Sequence, residues 1–159
     1  MEFNAEADDL LIGVVGGGAM GQGIVQVSLE GMMRVVLFDA KPDGSSGARD
    51  AVFSRLERNV EKGRLEKDAL DKMKENLILA KDFSGFSKCN VVVEAVFEDI
   101  EVKLDVFKEI EKEVAPNCII ASNTSSLPIA SLGRYCKHQN RFAGLHFFNP
   151  VPLMKLVEV

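Results

Sequence analysis

The chain of 159 residues lacks two features that whole classes of function require. It has no basic cluster, because single Lys and Arg residues are scattered among a larger number of acids, and the net charge is −5. We therefore expect no nucleic-acid partner, since such binding needs a concentrated positive surface. Its apolar runs are far shorter than the roughly 20 residues that cross a bilayer, so we expect no membrane partner either.

Cysteine and histidine are also scarce. The three cysteines, Cys89, Cys118 and Cys136, form no CxxC pair and cannot all pair within one chain, which favours a reduced, intracellular setting. Cys136 and His138 are close in sequence, but two ligands do not make a zinc site, and we predict no metal.

The first residues lack the patterns of targeting segments. They have neither the basic start and apolar core of a signal peptide nor the Arg-rich, acid-poor pattern of a transit peptide. We interpret residues 1–9 as a short tail. We expect a cytoplasmic protein of bacterial type, or a mitochondrial-matrix protein if the source is eukaryotic.

What the chain does have is the composition and pattern of one folded domain, which we place at residues 10–159. Of its residues 47% are apolar and 27% are charged. Short apolar runs, predicted to be strands, alternate with helical patterns, which indicates βαβ units and a doubly wound α/β fold. We expect a mostly parallel sheet with helices on both faces, a helical excursion after the second strand, and an antiparallel final pair of strands.

The predicted elements follow from apolar periodicity and turn residues. The predicted strands are 10–15, 34–39, 77–80, 90–96, 118–122, 141–148 and 154–159. The predicted helices are 19–30, a pattern ending at Gly63, 66–74, 100–114 and a short one after Pro128. The stretch 41–47, KPDGSSG, is expected to be a turn.

The segment IGVVGGGAMGQG contains Gly16-x-Gly18-x-x-Gly21, between a predicted strand and a predicted helix. Gly16 permits a tight turn, Gly18 lets the backbone approach a pyrophosphate, and Gly21 lets helix and strand pack closely. The helix N-terminus offers its unsatisfied N–H groups to phosphates. Asp39, at the end of the next strand, can accept from both hydroxyls of an adenosine ribose and would repel a 2′-phosphate, which favours NAD over NADP. The alternative is a simple glycine turn with Asp39 capping a strand.

Two further polar groups follow predicted strands, at the edge where ligands bind in open α/β sheets. In one interpretation, Glu98 and Lys103 border a ligand. In the other, Glu98 supports a helix N-terminus through the helix dipole and Lys103 faces solvent. The residues 122–126, SNTSS, either cap the next helix or form hydrogen bonds with a ligand. The residues alone leave both alternatives open. Glu94, inside an apolar run, is expected to be buried and hydrogen-bonded, with no role assigned.

His146 lies in an apolar run, where a histidine is more often a core residue than a catalyst. However, Asn149-Pro150 signals a turn, and Pro152 is midway between His146 and Glu158. If the chain reverses there as an antiparallel pair, His146 and Glu158 face each other. A carboxylate beside one imidazole nitrogen fixes the tautomer and raises the basicity of the other nitrogen. A base that takes the proton of an alcohol requires this arrangement.

Four segments of the chain together resemble the NAD-binding domain of the 3-hydroxyacyl-CoA dehydrogenases. In order they are GGGAMGQGI, VVEAVFEDIEVK, ASNTSSL and GLHFFNPVPLMKLVEV, and the resemblance runs from about Leu10 to Val159. It implies a Rossmann-type fold, NAD as cofactor, and reversible oxidation of (S)-3-hydroxyacyl-CoA to 3-oxoacyl-CoA, in fatty-acid oxidation or butanoate metabolism.

The resemblance also implies roles for individual residues. His146 would be the general base and Glu158 its orienting partner. Ser125 and Asn149 would contact the reacting substrate oxygen and the surrounding network. Glu98 and Lys103 would border the nicotinamide end of the cofactor. The cofactor-binding residues implied are Gly16, Gly18, Ala19, Met20, Gly21, Asp39, Glu98, Lys103 and Asn123.

Members of this family continue into a helical domain that closes the acyl-CoA cleft and forms the homodimer interface. We therefore expect this chain to be the separated cofactor domain, with NAD(H) and acyl-CoA as partners and no turnover on its own. The region 41–64 carries no motif that identifies a CoA contact. The alternatives are a non-catalytic NAD-binding module, such as a redox sensor or a crystallin-like relative, and a 6-phosphogluconate-type dehydrogenase. The retained site residues argue against the first, and HFFNP followed by Glu158 argues against the second.

Overall fold

Six short apolar runs form one parallel sheet. In the computed structural model, which describes residues 9–159, they pair in the order β3-β2-β1-β4-β5-β6. The strands are β1 (Leu11–Val15), β2 (Arg34–Phe38), β3 (Leu77–Leu79), β4 (Val91–Glu94), β5 (Ile119–Ser122) and β6 (Phe142–Gly144). The central strand β1 is buried along its whole length, as expected of a strand with partners on both sides and helices on both faces.

The two faces of β1 belong to two separate cores. Alternate side chains of a strand point to opposite faces. Leu11 and Val15 pack in the cluster that contains Phe107, whereas Ile12 and Val14 pack in the cluster that contains Ile24.

The helices that supply these two cores follow the strands in turn. They are α1 (Ala19–Glu30), α2 (Gly44–Glu61), α3 (Lys67–Asn76), α4 (Ile100–Glu113) and α5 (Ile129–Gly133). Helices α1, α2 and α3 pack on one face and α4 on the other. The prediction of a doubly wound α/β fold with helices on both faces is therefore confirmed.

The predicted turn at 41–47 is wrong in its second half, because α2 begins at Gly44. The reversal of the chain is completed by residue 43, where Asp43 adopts a left-handed conformation with φ of 56°. Gly44 is needed for close approach rather than for a turn, since a Cβ there would lie 2.5 Å from Asp39 Oδ1.

The predicted strand 141–148 is divided, because its two ends pair with different partners. β6 pairs in parallel with β5 as far as Gly144, and Leu145 still donates its N–H to the Ser122 carbonyl at 2.9 Å. The chain then leaves the main sheet. β7 (His146–Phe147) pairs in antiparallel fashion with β8 (Val157–Glu158), which is much shorter than the strand predicted at 154–159. The antiparallel final pair is confirmed.

The three cysteines are free and buried. Burial raises the pKa of Cys89 to about 12 and the pKa values of Cys118 and Cys136 to about 11, so all three are unreactive thiols at neutral pH.

Within residues 9–159, no helix is long and apolar enough to cross a membrane. In the same range, no three His, Cys, Asp or Glu side chains are grouped so that they would hold a metal ion. The tail expected at residues 1–9 lies, apart from Asp9, outside the described residues.

Candidate functional site

The glycine turn joins β1 to α1, and two of the three glycines of the Gly-x-Gly-x-x-Gly motif are tightly packed. Gly16 has φ of +109°, and a Cβ there would lie 2.5 Å from the Ala95 carbonyl oxygen. A Cβ on Gly21 would lie 1.8 Å from the Gly16 carbonyl oxygen, so only glycine lets α1 approach the turn. At Gly18, in contrast, the Cβ position is open, and no side chain caps the helix. Open space before an uncapped helix N-terminus fits a phosphate.

Asp39 is the first residue after β2, and its carboxylate lies against the glycine turn. Oδ2 accepts a hydrogen bond from the Gly17 N–H at 2.6 Å, and Oδ1 accepts from the Lys41 N–H at 2.8 Å. The N–H of Asp39 donates to Ser45 Oγ at 2.8 Å. The carboxylate is thus held at the mouth of the turn, and its remaining lone pairs can accept from ribose hydroxyls.

A cleft of about 720 Å³ runs over the carboxyl ends of the strands, from Asp39 past the glycine turn to His146. Its volume is in the usual range for a small-molecule site. It is lined by all the candidate residues except Gly21, which is packed behind the turn, and Glu158, which lies behind His146. The candidates that line it are Gly16, Gly18, Ala19, Met20, Asp39, Glu98, Lys103, Asn123, Ser125, His146 and Asn149.

Lys103 is buried at the base of this cleft, with 1% of its side chain exposed, so it does not face solvent as one alternative held. Its Nζ lies 2.7 Å from Glu94 Oε1 and 3.1 Å from Glu98 Oε2. Glu94 is also fully buried. It accepts from the Val96 N–H and the Ser122 hydroxyl, both at 2.7 Å. The burial predicted for Glu94 is confirmed.

Glu98 does not cap α4, because Asp99 does so by accepting from the N–H groups of Glu101 and Val102. Glu98 instead joins the β4 loop to the β5 loop, accepting from the hydroxyls of Thr124 and Ser126. Partial burial acts to raise the pKa of Glu98, but the hydrogen bonds from Thr124, Lys103 and Ser126 and the charge of Lys103 outweigh it, so the pKa is lowered.

The residues 122–126 do not cap α5, which has Pro128 at its N-cap position and no side-chain cap. Thr124 Oγ1 accepts from the Leu127 N–H at 3.1 Å and so shapes the loop itself. Asn123 Oδ1 accepts from the Phe147 N–H at 2.9 Å, which ties the loop to β7. Ser125 is left exposed on the cleft wall beside His146.

His146 and Glu158 are directly opposite each other in the β7–β8 pair, as the reversal near Pro152 predicts. His146 Nδ1 lies 2.9 Å from Glu158 Oε2, with 24% and 64% of the two side chains exposed. An ionised carboxylate only accepts hydrogen bonds, so in the neutral imidazole Nδ1 carries the proton and Nε2 is free to accept one. The imidazole also packs on Phe148, with the ring centroids 4.5 Å apart.

A second cleft, of about 540 Å³, lies between α2 and the reversal at 149–153. It meets the first cleft at Ala19 and Asn149, which line both. Arg55, at its wall, donates to Gln26 Oε1 at 2.9 Å and to Gln22 Oε1 at 3.2 Å, and burial lowers its pKa. The basic side chains that line this cleft are Arg55, Arg58, Lys62 and Arg64.

The sequence interpretation missed this basic cleft. It also gave no specific role to Glu94, Ser122 and Thr124, whose hydrogen bonds hold Lys103 and Glu98 at the first cleft. Arg55, Arg58 and Lys62 are spaced by three and four residues, the spacing of one helix face, but acids between them hide the pattern. The sequence shows Glu94 as a charged residue in an apolar run, but it does not show that Lys103 and Ser122 are its partners. Thr124 was visible only as one of several hydroxyls.

The parallel sheet, the glycine turn before an uncapped helix, and the carboxylate after β2 define a dinucleotide-binding domain of the Rossmann type. The sequence profile of the family described as "3-hydroxyacyl-CoA dehydrogenase, NAD binding domain" matches residues 11–159. The chain belongs to this family, and its cofactor is NAD.

Two relatives illustrate the similarity. A 3-hydroxybutyryl-CoA dehydrogenase of Mycobacterium tuberculosis is 38% identical over 149 residues, which are 93% of this chain and 52% of that protein. A mitochondrial hydroxyacyl-coenzyme A dehydrogenase of Sus scrofa is 41% identical over 152 residues, covering 92% of this chain and 48% of that protein. The chain thus spans about half the length of the curated relatives it matches.

The fold is also similar to solved structures. The crystal structure of an (S)-3-hydroxybutyryl-CoA dehydrogenase from Ralstonia eutropha matches with a TM-score of 0.90 and 33% identity. The match covers 94% of this chain and 53% of that one.

Proposed function

We propose that this domain binds NAD and supplies the general base for oxidation of (S)-3-hydroxyacyl-CoA to 3-oxoacyl-CoA. The observation that carries the proposal is the His146–Glu158 pair at the end of the cofactor cleft, 2.9 Å apart. A domain that only senses NAD would not need an oriented imidazole beside that cleft. The names of the similar proteins support the choice of substrate.

Features at both ends of the cleft support NAD as its ligand. Gly18 leaves open space before the N-terminus of α1, where the pyrophosphate would lie. Ala19 and Met20 begin that helix and would offer their N–H groups. Asp39 would hold the adenosine ribose, and Glu98, Lys103 and Asn123 would border the nicotinamide. Bound NAD supplies the hydride acceptor.

The chain's own residues would handle the proton. As the substrate's C3 carbon loses hydride, the 3-hydroxyl loses its proton to His146 Nε2, and the imidazole becomes a cation. Glu158 would hold the imidazole in position through Nδ1 and stabilise that cation. Ser125 and Asn149, on the cleft wall, would contact the substrate oxygen.

The basic cleft supports an acyl-CoA substrate, since CoA carries several phosphates. Its junction with the first cleft at Asn149 would let the acyl group reach His146 while the phosphates remain beside Arg55, Arg58 and Lys62. From the resemblance to the family, we also propose that the whole enzyme contains a helical domain and forms a homodimer. Its proposed location is the cytoplasm or the mitochondrial matrix. Size measurement of the full-length enzyme by light scattering tests the dimer.

The experiment is a paired measurement on His146→Ala in the full-length enzyme. We expect kcat for 3-hydroxybutyryl-CoA to fall by about 10²- to 10⁴-fold, the usual contribution of a general base, while NADH affinity stays the same. An unchanged kcat would remove His146 as the base. Failure of the wild-type chain to bind millimolar NADH would overturn the cofactor assignment.

A further inference from the structure

Three charged side chains meet at the β4–β5 end of the cofactor cleft. Glu94 and Lys103 are almost completely buried and form a 2.7 Å ion pair. Glu98, 3.1 Å from the same ammonium, is 39% exposed and lines the cleft. The cluster therefore contains two carboxylates and one ammonium, which leaves it with one net negative charge.

The buried pair is poorly explained by stability. Removing two charges from water costs several kcal/mol per ion, and replacing such a pair by apolar residues is often neutral or stabilising. The pair carries no net charge, whichever partner holds the shared proton. Because Glu94 already balances the charge of the Lys103 ammonium, the negative charge of Glu98 is not neutralised.

The charge of Glu98 is directed at the cleft. The lowered pKa of Glu98 keeps it ionised at neutral pH. The hydrogen bond from Thr124 and the ion pair with Lys103 hold the carboxylate in place. The other acid and the other lysine that line the cleft, Asp39 and Lys41, follow β2 at the opposite end.

The two forms of the cofactor differ in charge at one ring, because the oxidised nicotinamide is a cation and the reduced ring is neutral. We propose that the Glu94–Lys103 pair leaves Glu98 as an unneutralised charge beside that ring, and that this charge selects NAD⁺ over NADH. The inference rests on the proposed function, which puts the nicotinamide at this end. It makes Glu98 a specificity-determining residue and Glu94 a positioning residue.

The test is the ratio of the dissociation constants for NADH and NAD⁺, both measured by calorimetry on this chain at one ionic strength. Glu98→Gln and Glu94→Gln each make the cluster neutral while keeping its shape. We expect each variant to bind NAD⁺ more weakly relative to NADH, because one negative charge is lost within a few ångströms of the ring. The ratio of the dissociation constant for NADH to that for NAD⁺ should therefore fall by on the order of ten-fold. A merely structural role would weaken both cofactor forms equally and leave the ratio unchanged.

Two control variants separate charge from other effects. Ser126→Ala removes a 3.0 Å hydrogen bond to Glu98 from an exposed position without changing the charge. Asp39→Asn makes the same change in charge at the adenosine end. Salt screens the interaction of this charge with the distant nicotinamide ring. We expect both to leave the ratio unchanged, although Asp39→Asn weakens binding of both forms.

The outcomes distinguish the two levels of the proposal. An unchanged ratio in Glu98→Gln would overturn the inference while leaving NAD binding intact. A shift in Glu98→Gln without one in a folded Glu94→Gln would overturn the role of the buried pair. If Glu94→Gln does not fold, Glu98→Gln alone decides the charge selection. Failure of the wild-type chain to bind either form would overturn the proposed function itself.

Discussion

The two ends of the candidate site are held in place by different means. The glycine turn is fixed by backbone packing, with Gly21 so close to the Gly16 carbonyl that a single carbon atom would not fit. The His146–Glu158 pair lies on two-residue strands outside the main sheet. One hydrogen bond joins the two side chains, of which the imidazole is partly exposed and the carboxylate is exposed. We infer that changes at the turn alter stability and binding together, whereas changes at the pair alter chemistry alone.

The largest expected effect is that of Gly21→Ala, at the packed end. The added carbon would lie 1.8 Å from the Gly16 oxygen, so α1 must shift and the phosphate position is lost. We expect the free energy of unfolding to fall by about 3 kcal/mol or more, and NADH binding to be lost, as measured by denaturant titration and fluorescence. The control is Gly47→Ala, in α2, where the Cβ position is open, and which should gain about 0.5–1 kcal/mol. Wild-type stability in Gly21→Ala would show that the turn is not rigid.

At the other end, Glu158→Gln should lower kcat of the full-length enzyme by about 10²-fold, because the imidazole loses the carboxylate that orients it. The free energy of unfolding should change by less than about 1 kcal/mol, since the pair is exposed. Lys155→Gln, on the same exposed return segment, should change neither quantity. A large loss of stability in Glu158→Gln would contradict the comparison.

Asp39→Asn, back at the turn, should weaken NADH binding by about ten-fold, because hydrogen bonds to a charged carboxylate contribute more than those to an amide. It should weaken NADPH binding less, since the repulsion of the 2′-phosphate is also lost. Parallel titrations with the two cofactors measure this change in preference. An equal loss for both would place the adenosine ribose elsewhere.

The smallest expected effect is the acid sensitivity of Glu98, which joins the β4 loop to the β5 loop. Its pKa in the folded chain is below its ordinary value of 4.5, so its stabilising contribution is present above that value and is lost as the pH falls through the folded pKa. Because the side chain is 39% exposed, solvent screening limits this contribution to about 1 kcal/mol at most. The wild-type chain should therefore lose stability below about pH 4.5 slightly more steeply than Glu98→Gln. Parallel pH profiles of the two would contradict the lowered pKa.

The sequence was most informative where structure depends on local rules. The buried strands were predicted from apolar runs, and the turn from glycines whose roles depend on their own neighbours. The opposition of His146 and Glu158 required only a reversal at the midpoint between them. These features involve short separations along the chain or one repeating period.

The sequence was less informative where a residue's partner is on another element. The strand predicted at 141–148 changes partners after Gly144, and nothing in its apolar pattern marks the change. Lys103 on α4 reaches Glu94 on β4, nine residues earlier, and that contact depends on how the helix packs on the sheet. The basic face of α2 forms a cleft only because the reversal at 149–153 packs opposite it.

The change of partner at Leu145 means that the length of this segment is not adjustable. Leu145 and Phe147 pack against the core, and His146, between them, lies against Phe148 instead. Side chains on a strand alternate between faces, so inserting or deleting one residue between Gly144 and His146 would turn the imidazole to the opposite face. The last strand of the sheet thus serves as a spacer of fixed length, and its residues can be exchanged more readily than their number can be changed.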